Sequence, residues 1–370
     1  MKNIFRKIDM YSKNFRIHWL EYIALFIGID IFTQMLIIPL FRYVTTGILK
    51  ASAIPFVSYQ NIVTIITTHT GVALLLIVEL VILLLVIYGV FALILLGIRE
   101  ISQNQFSLKL LFKELWQTYR FVRVGSILLL GLYFLLIVPF ADMVYRTPLL
   151  AKVQIPEFIL DFMTRNIWLV SGLIIFYLLA FILGIRLILT LPLMIYQEKK
   201  TWIAMKESWK LTSHKNWWTL LSSLLVAGIC VSVILVSCNL IIYFCQLGLD
   251  HLPEKLSFSF AIFNLLLVQV ISELMAIWIS VISILIVVTP LNSFKWEDQK
   301  KVKSKKTIKI VDSCLIIVFV LAAGINSALY LKGADMQRPV TISHRGVSDK
   351  NGVQNTIPAL EKTAKLHPDY

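Results

Sequence analysis

The sequence is poor in charge for its length. Of its 370 residues, only 15% are Asp, Glu, Lys or Arg, whereas 58% are hydrophobic. A soluble domain typically has about 25% charged and about 45–50% apolar residues. The shortage of charge therefore excludes an ordinary soluble globular protein. The apolar excess is gathered in blocks of about 20 residues or more, which is the length that crosses a membrane.

Cysteine is also scarce, and none of it forms a metal-binding pattern. The four cysteines are Cys230, Cys238, Cys245 and Cys314, all within apolar segments and none at metal-ligand spacing from a histidine. This excludes a sequence-encoded zinc site and argues against a disulfide framework. We interpret the cysteines as small packing residues. No cleavable signal peptide is predicted, because the first apolar stretch is too long and lacks a small-residue cleavage site.

Seven segments are long and apolar enough to span a membrane. They comprise residues 19–41, 72–98, 124–144, 167–196, 217–247, 258–291 and 308–331. The sixth is long enough to be tilted or to extend out of the bilayer. Residues 51–68 contain Pro55, Asn61 and several threonines, so we predict an exterior loop or re-entrant segment there. The predicted fold is an all-α polytopic membrane bundle of about seven spans.

The distribution of basic residues predicts the orientation of the bundle. The N-terminus and alternate connections hold 21 Lys and Arg residues, whereas the intervening connections hold 6. Cytoplasmic loops carry the excess of Lys and Arg. We therefore predict a cytoplasmic N-terminus and an extracellular C-terminal end. The net charge of +14 is a topology signal in this setting, and no nucleic-acid partner is predicted.

Two predicted cytoplasmic connections resemble each other. Phe112-Lys113-Glu114-Leu115-Trp116 aligns with Met205-Lys206-Glu207-Ser208-Trp209, and both stretches have amphipathic helical spacing just before an apolar span. Basic amphipathic helices with tryptophan suit the membrane interface. Two interpretations remain open: paired helices of an internal duplication that contact lipid headgroups, or generic interfacial anchors with a chance match.

Four charged residues fall within predicted spans: Asp30, Glu79, Arg186 and Glu273. A charge at the bilayer centre costs about 2.5–3.5 kcal/mol on insertion scales, so such residues are paired, face water or lie near the interface. Arg186 with Glu273 or Glu79 is a candidate buried pair. The alternative is that Glu79, Arg186 and Glu273 line a polar cavity open to a lipid headgroup.

The composition changes after residue 331. Val340-Thr341-Ile342-Ser343 predicts a short strand, followed at once by His344-Arg345-Gly346 and a loop. Asn355-Thr356-Ile357-Pro358 then leads into a predicted helix at 359–366, with a proline in its first turn. Strand, loop and helix form the opening of a βα unit, which cannot bury its apolar face alone.

These residues resemble the start of glycerophosphodiester phosphodiesterase domains. The matching residues are His344, Arg345, Gly346, Asn355 and Thr356, although Gln354 replaces the usual Glu. The multi-span region also resembles the membrane domain fused to some of these enzymes in Gram-positive bacteria. The resemblance implies a TIM barrel whose site lies at the C-terminal ends of its strands, where His344 would fall.

The resemblance further implies the chemistry. His344 would transfer a proton, while Arg345 would hold the phosphate and Asn355 would contact the substrate. A divalent metal, Ca²⁺ or Mg²⁺, would neutralise the phosphate. Its expected ligands would follow Tyr370, so no metal ligand is assigned here. The implied reaction hydrolyses glycerophosphodiesters to glycerol phosphate and an alcohol in lipid metabolism, with membrane lipids as neighbours or substrates.

We therefore expect three parts. Residues 1–331 form the membrane domain, 332–339 a linker, and 340–370 the first βα unit of an incomplete TIM barrel. The catalytic domain is expected outside the cell, and these 370 residues alone are expected to be inactive and to bind no metal. The alternative function is a lipid-handling or transporter-like membrane protein.

Overall fold

The computed structural model describes residues 2–54, 57, 61–104, 106–122, 127, 130–131, 163–164, 166–213, 215–291, 306–333 and 356–365. Helices build this part of the chain. They are α1 (Lys2–Ile17), α2 (Trp19–Phe32), α3 (Ile38–Ala51), α4 (Ile62–Thr68), α5 (Thr70–Ser102), α6 (Leu108–Thr118), α7 (Ile167–Leu187), α8 (Thr190–Tyr196), α9 (Thr201–Leu211), α10 (Lys215–Leu249), α11 (Glu254–Val288), α12 (Lys306–Lys332) and α13 (Ile357–Ala364).

Six helical segments of the described chain are long and apolar enough to cross a membrane. They are Trp19–Ala51, Thr70–Ser102, Ile167–Tyr196, Asn216–Leu249, Glu254–Val288 and Ser313–Lys332. Six of the seven predicted spans are thus confirmed, and the predicted span at 124–144 lies largely outside the described residues. Long apolar side chains such as Ile229, Val233 and Leu240 stay exposed along α10, as lipid-facing surfaces require.

The first span is longer than predicted and changes its winding midway. It runs to Ala51, and Ile38 N–H donates to the carbonyl of Thr33, five residues earlier. Pro39 follows and has no N–H to donate, so a regular turn cannot form there. The described residues of 51–68 form no eighth span. The short helix α4 lies in that segment.

The buried core is concentrated towards one end of the bundle. In α5 it is dense from Ile87 to Ser102, and in α11 from Ile277 to Val288. Helix α8 packs against α5, with residues 190–195 all buried. Gly97 allows α5 to approach α2 closely, because a Cβ there would lie 2.6 Å from Cδ2 of Leu25 on α2. The predicted cytoplasmic end is therefore the tightly packed end.

Helices α10 and α11 form a long antiparallel hairpin whose turn is hydrogen-bonded. The Asp250 carboxylate accepts from Gln246 Nε2 at 2.7 Å and from Ser257 Oγ at 2.9 Å. These two hydrogen bonds hold the pKa of Asp250 below its usual value. Each helix has 35 residues, which is roughly 50 Å of length, so both extend beyond a hydrocarbon core of about 30 Å.

Candidate functional site

The residues predicted to carry catalysis lie outside the described part of the chain. His344, Arg345 and Asn355 are among them, as is the predicted strand at 340–343. The description resumes at Thr356, and helix α13 begins at Ile357 with Pro358 in its first turn. The predicted helix is confirmed, whereas the βα unit and the catalytic roles stay predictions.

A break in the fourth predicted span creates a polar site within the membrane domain. Helix α7 ends at Leu187 and α8 begins at Thr190. Pro192 cannot donate to the carbonyl four residues earlier, which favours the break. A broken helix leaves backbone groups without partners, and inside a membrane they must be satisfied locally. Helix α9 supplies partners for these backbone groups and packs against both α7 and α8.

Two hydroxyl groups of the α9 region satisfy the broken backbone. Ser208 Oγ donates to the carbonyl of Arg186 at 2.7 Å and accepts from the Leu189 N–H at 3.2 Å. Thr212 Oγ1 lies 3.0 Å from the same carbonyl. Both residues are buried. The helix break and the short helix beneath it therefore form one hydrogen-bonded unit.

Arg186 belongs to this unit. Its Nη1 donates to the carbonyl of Thr212 at 2.5 Å, and its guanidinium lies 4.5 Å from the ring centroid of Trp209. The arginine is thus held by a backbone carbonyl and an aromatic face of the α9 region, and its candidate pairing with Glu79 or Glu273 stays a prediction. Arg186 lies at the predicted cytoplasmic end of α7, beside the start of the break.

The first aligned helix, α6, also forms an ion pair through its glutamate. We call α6 and α9 the first and second elbow helices. Glu114 forms an ion pair with Arg99, and the aligned Glu207 forms one with Lys199. The aligned tryptophans, Trp116 and Trp209, are both exposed.

The ends of the two elbow helices are held alike. Tyr88 Oη donates to the carbonyl of Thr118 at 3.4 Å, as Arg186 does to that of Thr212. Tyr119 Oη donates back to the carbonyl of Leu85 at 3.0 Å, as Thr212 does to that of Arg186. The end of each elbow helix is thus held by side-chain contacts with the preceding span, and the two interpretations of the sequence match stay open.

The intramembrane carboxylates lie on helices other than the second elbow. Glu79 Oε1 accepts from Thr45 Oγ1 at 2.6 Å and borders an apolar groove of about 260 Å³ between α3 and α5. Glu273 is half-buried near the middle of α11. Asp30 is half-buried near the end of α2. The predicted set Glu79, Arg186 and Glu273 is therefore distributed over different helices, and its role stays a prediction.

A cavity of about 400 Å³ lies beside the second elbow, between α1, α10 and α11. Its size is within the range of about 300–1,000 Å³ that is usual for ligand sites. Its wall includes Leu189 at the helix break and Thr212 at the end of the elbow. The remaining described lining residues are Ile4, Lys7, Ile8, Tyr11, Leu211, Asn216, Thr219, Leu220, Ser223, Ile286, Thr289 and Pro290.

Helix α1 closes one side of this cavity. It is amphipathic: Ile8, Tyr11 and Phe15 are buried, whereas Arg6 and Lys13 are exposed. Tyr11 and Thr289 hydroxyls lie 2.5 Å apart. Thr289 gives its one proton to the carbonyl of Leu285 at 2.5 Å, so Tyr11 is the donor in the pair. Burial raises the pKa of Tyr11, which keeps the phenol protonated for this role.

The cavity could not be recognised from the sequence because its wall comes from distant segments. In the sequence, the basic residues of α1 indicate topology only. A signal did exist, since Thr212, Thr219 and Ser223 place hydroxyl groups around the start of an otherwise apolar span. Among the described residues, no three His, Cys, Asp or Glu side chains are grouped as metal ligands, and the expected metal site stays a prediction.

These features define a polytopic helical membrane protein with two elbow helices and a broken span. A family model described as the membrane domain of glycerophosphoryl diester phosphodiesterase matches residues 8–327. The chain therefore belongs to this family. Comparison with curated proteins and with solved structures gave no significant match.

Proposed function

We propose that this protein is a membrane-bound glycerophosphodiester phosphodiesterase of lipid metabolism, whose catalytic segment begins near residue 340. The observation that carries the proposal is the family match over 8–327, followed directly by His344-Arg345-Gly346 and Asn355-Thr356. A membrane domain of this family thus precedes residues that resemble the opening of the matching catalytic domain.

The proposed reaction is hydrolysis of a phosphodiester to glycerol phosphate and an alcohol. His344 transfers a proton between water and the leaving alcohol oxygen, because a histidine titrates near neutral pH. Arg345 and Asn355 hold the phosphate and the substrate. A divalent cation, Ca²⁺ or Mg²⁺, would neutralise charge on the phosphate when bound. Substrates include deacylated phospholipids and glycerol phosphate polymers outside the cell.

The His344→Ala variant tests this proposal. The protein without substitutions, which we call the parent, is expressed from its complete reading frame and purified in detergent. It should release glycerol phosphate from glycerophosphodiesters. Loss of the general acid–base group should lower the rate by about 10²–10⁴-fold. The readout is glycerol phosphate release, measured with an enzyme-coupled assay in the presence of Ca²⁺ or Mg²⁺.

The matched control is His367→Ala, which removes a histidine from the same segment without touching the motif. The control should retain the parent rate. Equal activity of the two variants, or absence of hydrolysis by the parent with either cation, would contradict the proposal.

A lipid-handling role for the bundle is the second candidate, and the broken span favours it. Interrupted helices near intramembrane polar groups mark substrate sites in transporters. The His344→Ala protein separates the two functions when it is placed in vesicles with a fluorescent phospholipid. Movement of lipid between leaflets without hydrolysis would support the second role.

A further inference from the structure

We propose that the cavity between α1, α10 and α11 binds the headgroup of a glycerol-bearing anionic phospholipid from the predicted cytoplasmic leaflet. This inference goes beyond the proposed hydrolysis, because the catalytic segment is predicted on the opposite face. It concerns binding alone and does not rest on phosphodiesterase activity.

The charge of the cavity wall favours an anionic ligand. Among the described residues that line the cavity, Lys7 is a cation and none is a carboxylate. Lys7 is exposed, and its position on an amphipathic basic helix suits the headgroup level of a membrane. A phosphate that enters the cavity meets an ammonium group, whereas a cationic headgroup amine meets no opposite charge from the described lining.

The hydrogen-bonding pattern of the cavity wall indicates which chemical groups the headgroup carries besides its phosphate. Thr212 Oγ1 has its donor contacts with the carbonyls of Ser208 and Arg186, Ser223 Oγ donates to that of Thr219, and Thr289 Oγ1 donates to that of Leu285. A hydroxyl group has one proton but two acceptor lone pairs. These hydroxyl groups therefore present hydrogen-bond acceptors, rather than donors, to a bound ligand.

The acceptors of these three hydroxyls favour a ligand that brings its own donors. The hydroxyl groups of glycerol provide donors without adding positive charge, so a phosphoglycerol headgroup matches both the hydroxyls and Lys7. The apolar part of the wall includes Ile8, Leu220 and Ile286, which suits the glycerol backbone and the upper acyl chains. Free glycerol phosphate shares the polar chemistry but lacks this apolar part.

Native mass spectrometry of the purified full chain in detergent tests the inference. The probes are phosphatidylglycerol, phosphatidylethanolamine, phosphatidic acid and soluble glycerol phosphate. The expected order places phosphatidylglycerol first, and millimolar glycerol phosphate should fail to displace it. Lys7→Gln should weaken phosphatidylglycerol binding about tenfold, as for loss of one charge-assisted hydrogen bond.

The matched control is Lys13→Gln, since Lys13 is exposed on the same helix and is not among the residues lining the cavity. It should bind as the parent does. Three outcomes would overturn the inference: equal effects of the two substitutions, equal binding of phosphatidylglycerol and phosphatidylethanolamine, or full displacement by glycerol phosphate. Tighter binding of phosphatidic acid than of phosphatidylglycerol would also overturn the inference, because the charge of the headgroup alone would then determine the affinity.

Discussion

Arg186→Met is expected to lower the free energy of unfolding by about 1.5–3 kcal/mol, because it removes a charged hydrogen-bond donor from a half-buried position. The carbonyl of Thr212 loses the guanidinium that lies 2.5 Å away. Methionine keeps an unbranched side chain over Trp209, so the loss reports the hydrogen bond and the charge more than the packing. Reversible unfolding in mixed micelles measures the effect.

The matched control for this prediction is Lys206→Met on the same elbow helix. Lys206 Nζ lies 5.2 Å from the ring centroid of Trp202, and Lys206 is exposed. An exposed cation–π contact contributes only about 0.5–1 kcal/mol. If both substitutions lowered stability equally, the second elbow would not depend on the Arg186 contact with the helix end.

Gly89→Ala is expected to lower the free energy of unfolding by about 1–2 kcal/mol, within the usual range for overpacking. An added Cβ would lie 2.1 Å from Tyr119 Oη. That hydroxyl holds the end of the first elbow to the carbonyl of Leu85. The methyl group must therefore displace the tyrosine ring and break this hydrogen bond.

Two further variants identify the cause. Gly228→Ala is the matched control, because a Cβ there meets nothing within 4 Å, and alanine should stabilise the helix by roughly 0.5–1 kcal/mol. In a Tyr119→Phe background the clashing oxygen is absent and the next atom lies 3.3 Å away. The cost of Gly89→Ala should largely vanish there. An undiminished cost would contradict the proposed contact.

The spans could be predicted from the sequence because each is a continuous apolar run, which needs no knowledge of its neighbours. Their ends were less certain, as the first span shows. It continues past residue 41 to Ala51, since a moderately polar turn costs little near the interface. The two elbow helices were likewise visible as local amphipathic patterns before apolar segments.

The contacts of Arg186 could not be predicted, because they depend on where α7 breaks. The sequence pattern predicts an uninterrupted span around Arg186, in which the arginine would need a partner such as a carboxylate. Pro192 was the overlooked signal, since a proline removes a backbone hydrogen bond from a continuous helix. The cavity was missed for a related reason: its wall joins α1 to residues almost 280 positions away, such as the hydrogen-bonded pair Tyr11 and Thr289.

The most direct test of the account asks whether the catalytic segment and the elbow helices lie on opposite faces of the membrane. Cysteine labelling answers it with a membrane-impermeant maleimide on intact protoplasts, after the four native cysteines are replaced by serine. The Gln337→Cys variant, in the segment that precedes the His344 motif, should be labelled from outside. The Lys113→Cys variant, on the exposed side of the first elbow helix, should be labelled only after permeabilisation. Labelling of both variants from the same side, or the reverse pattern, would contradict the account.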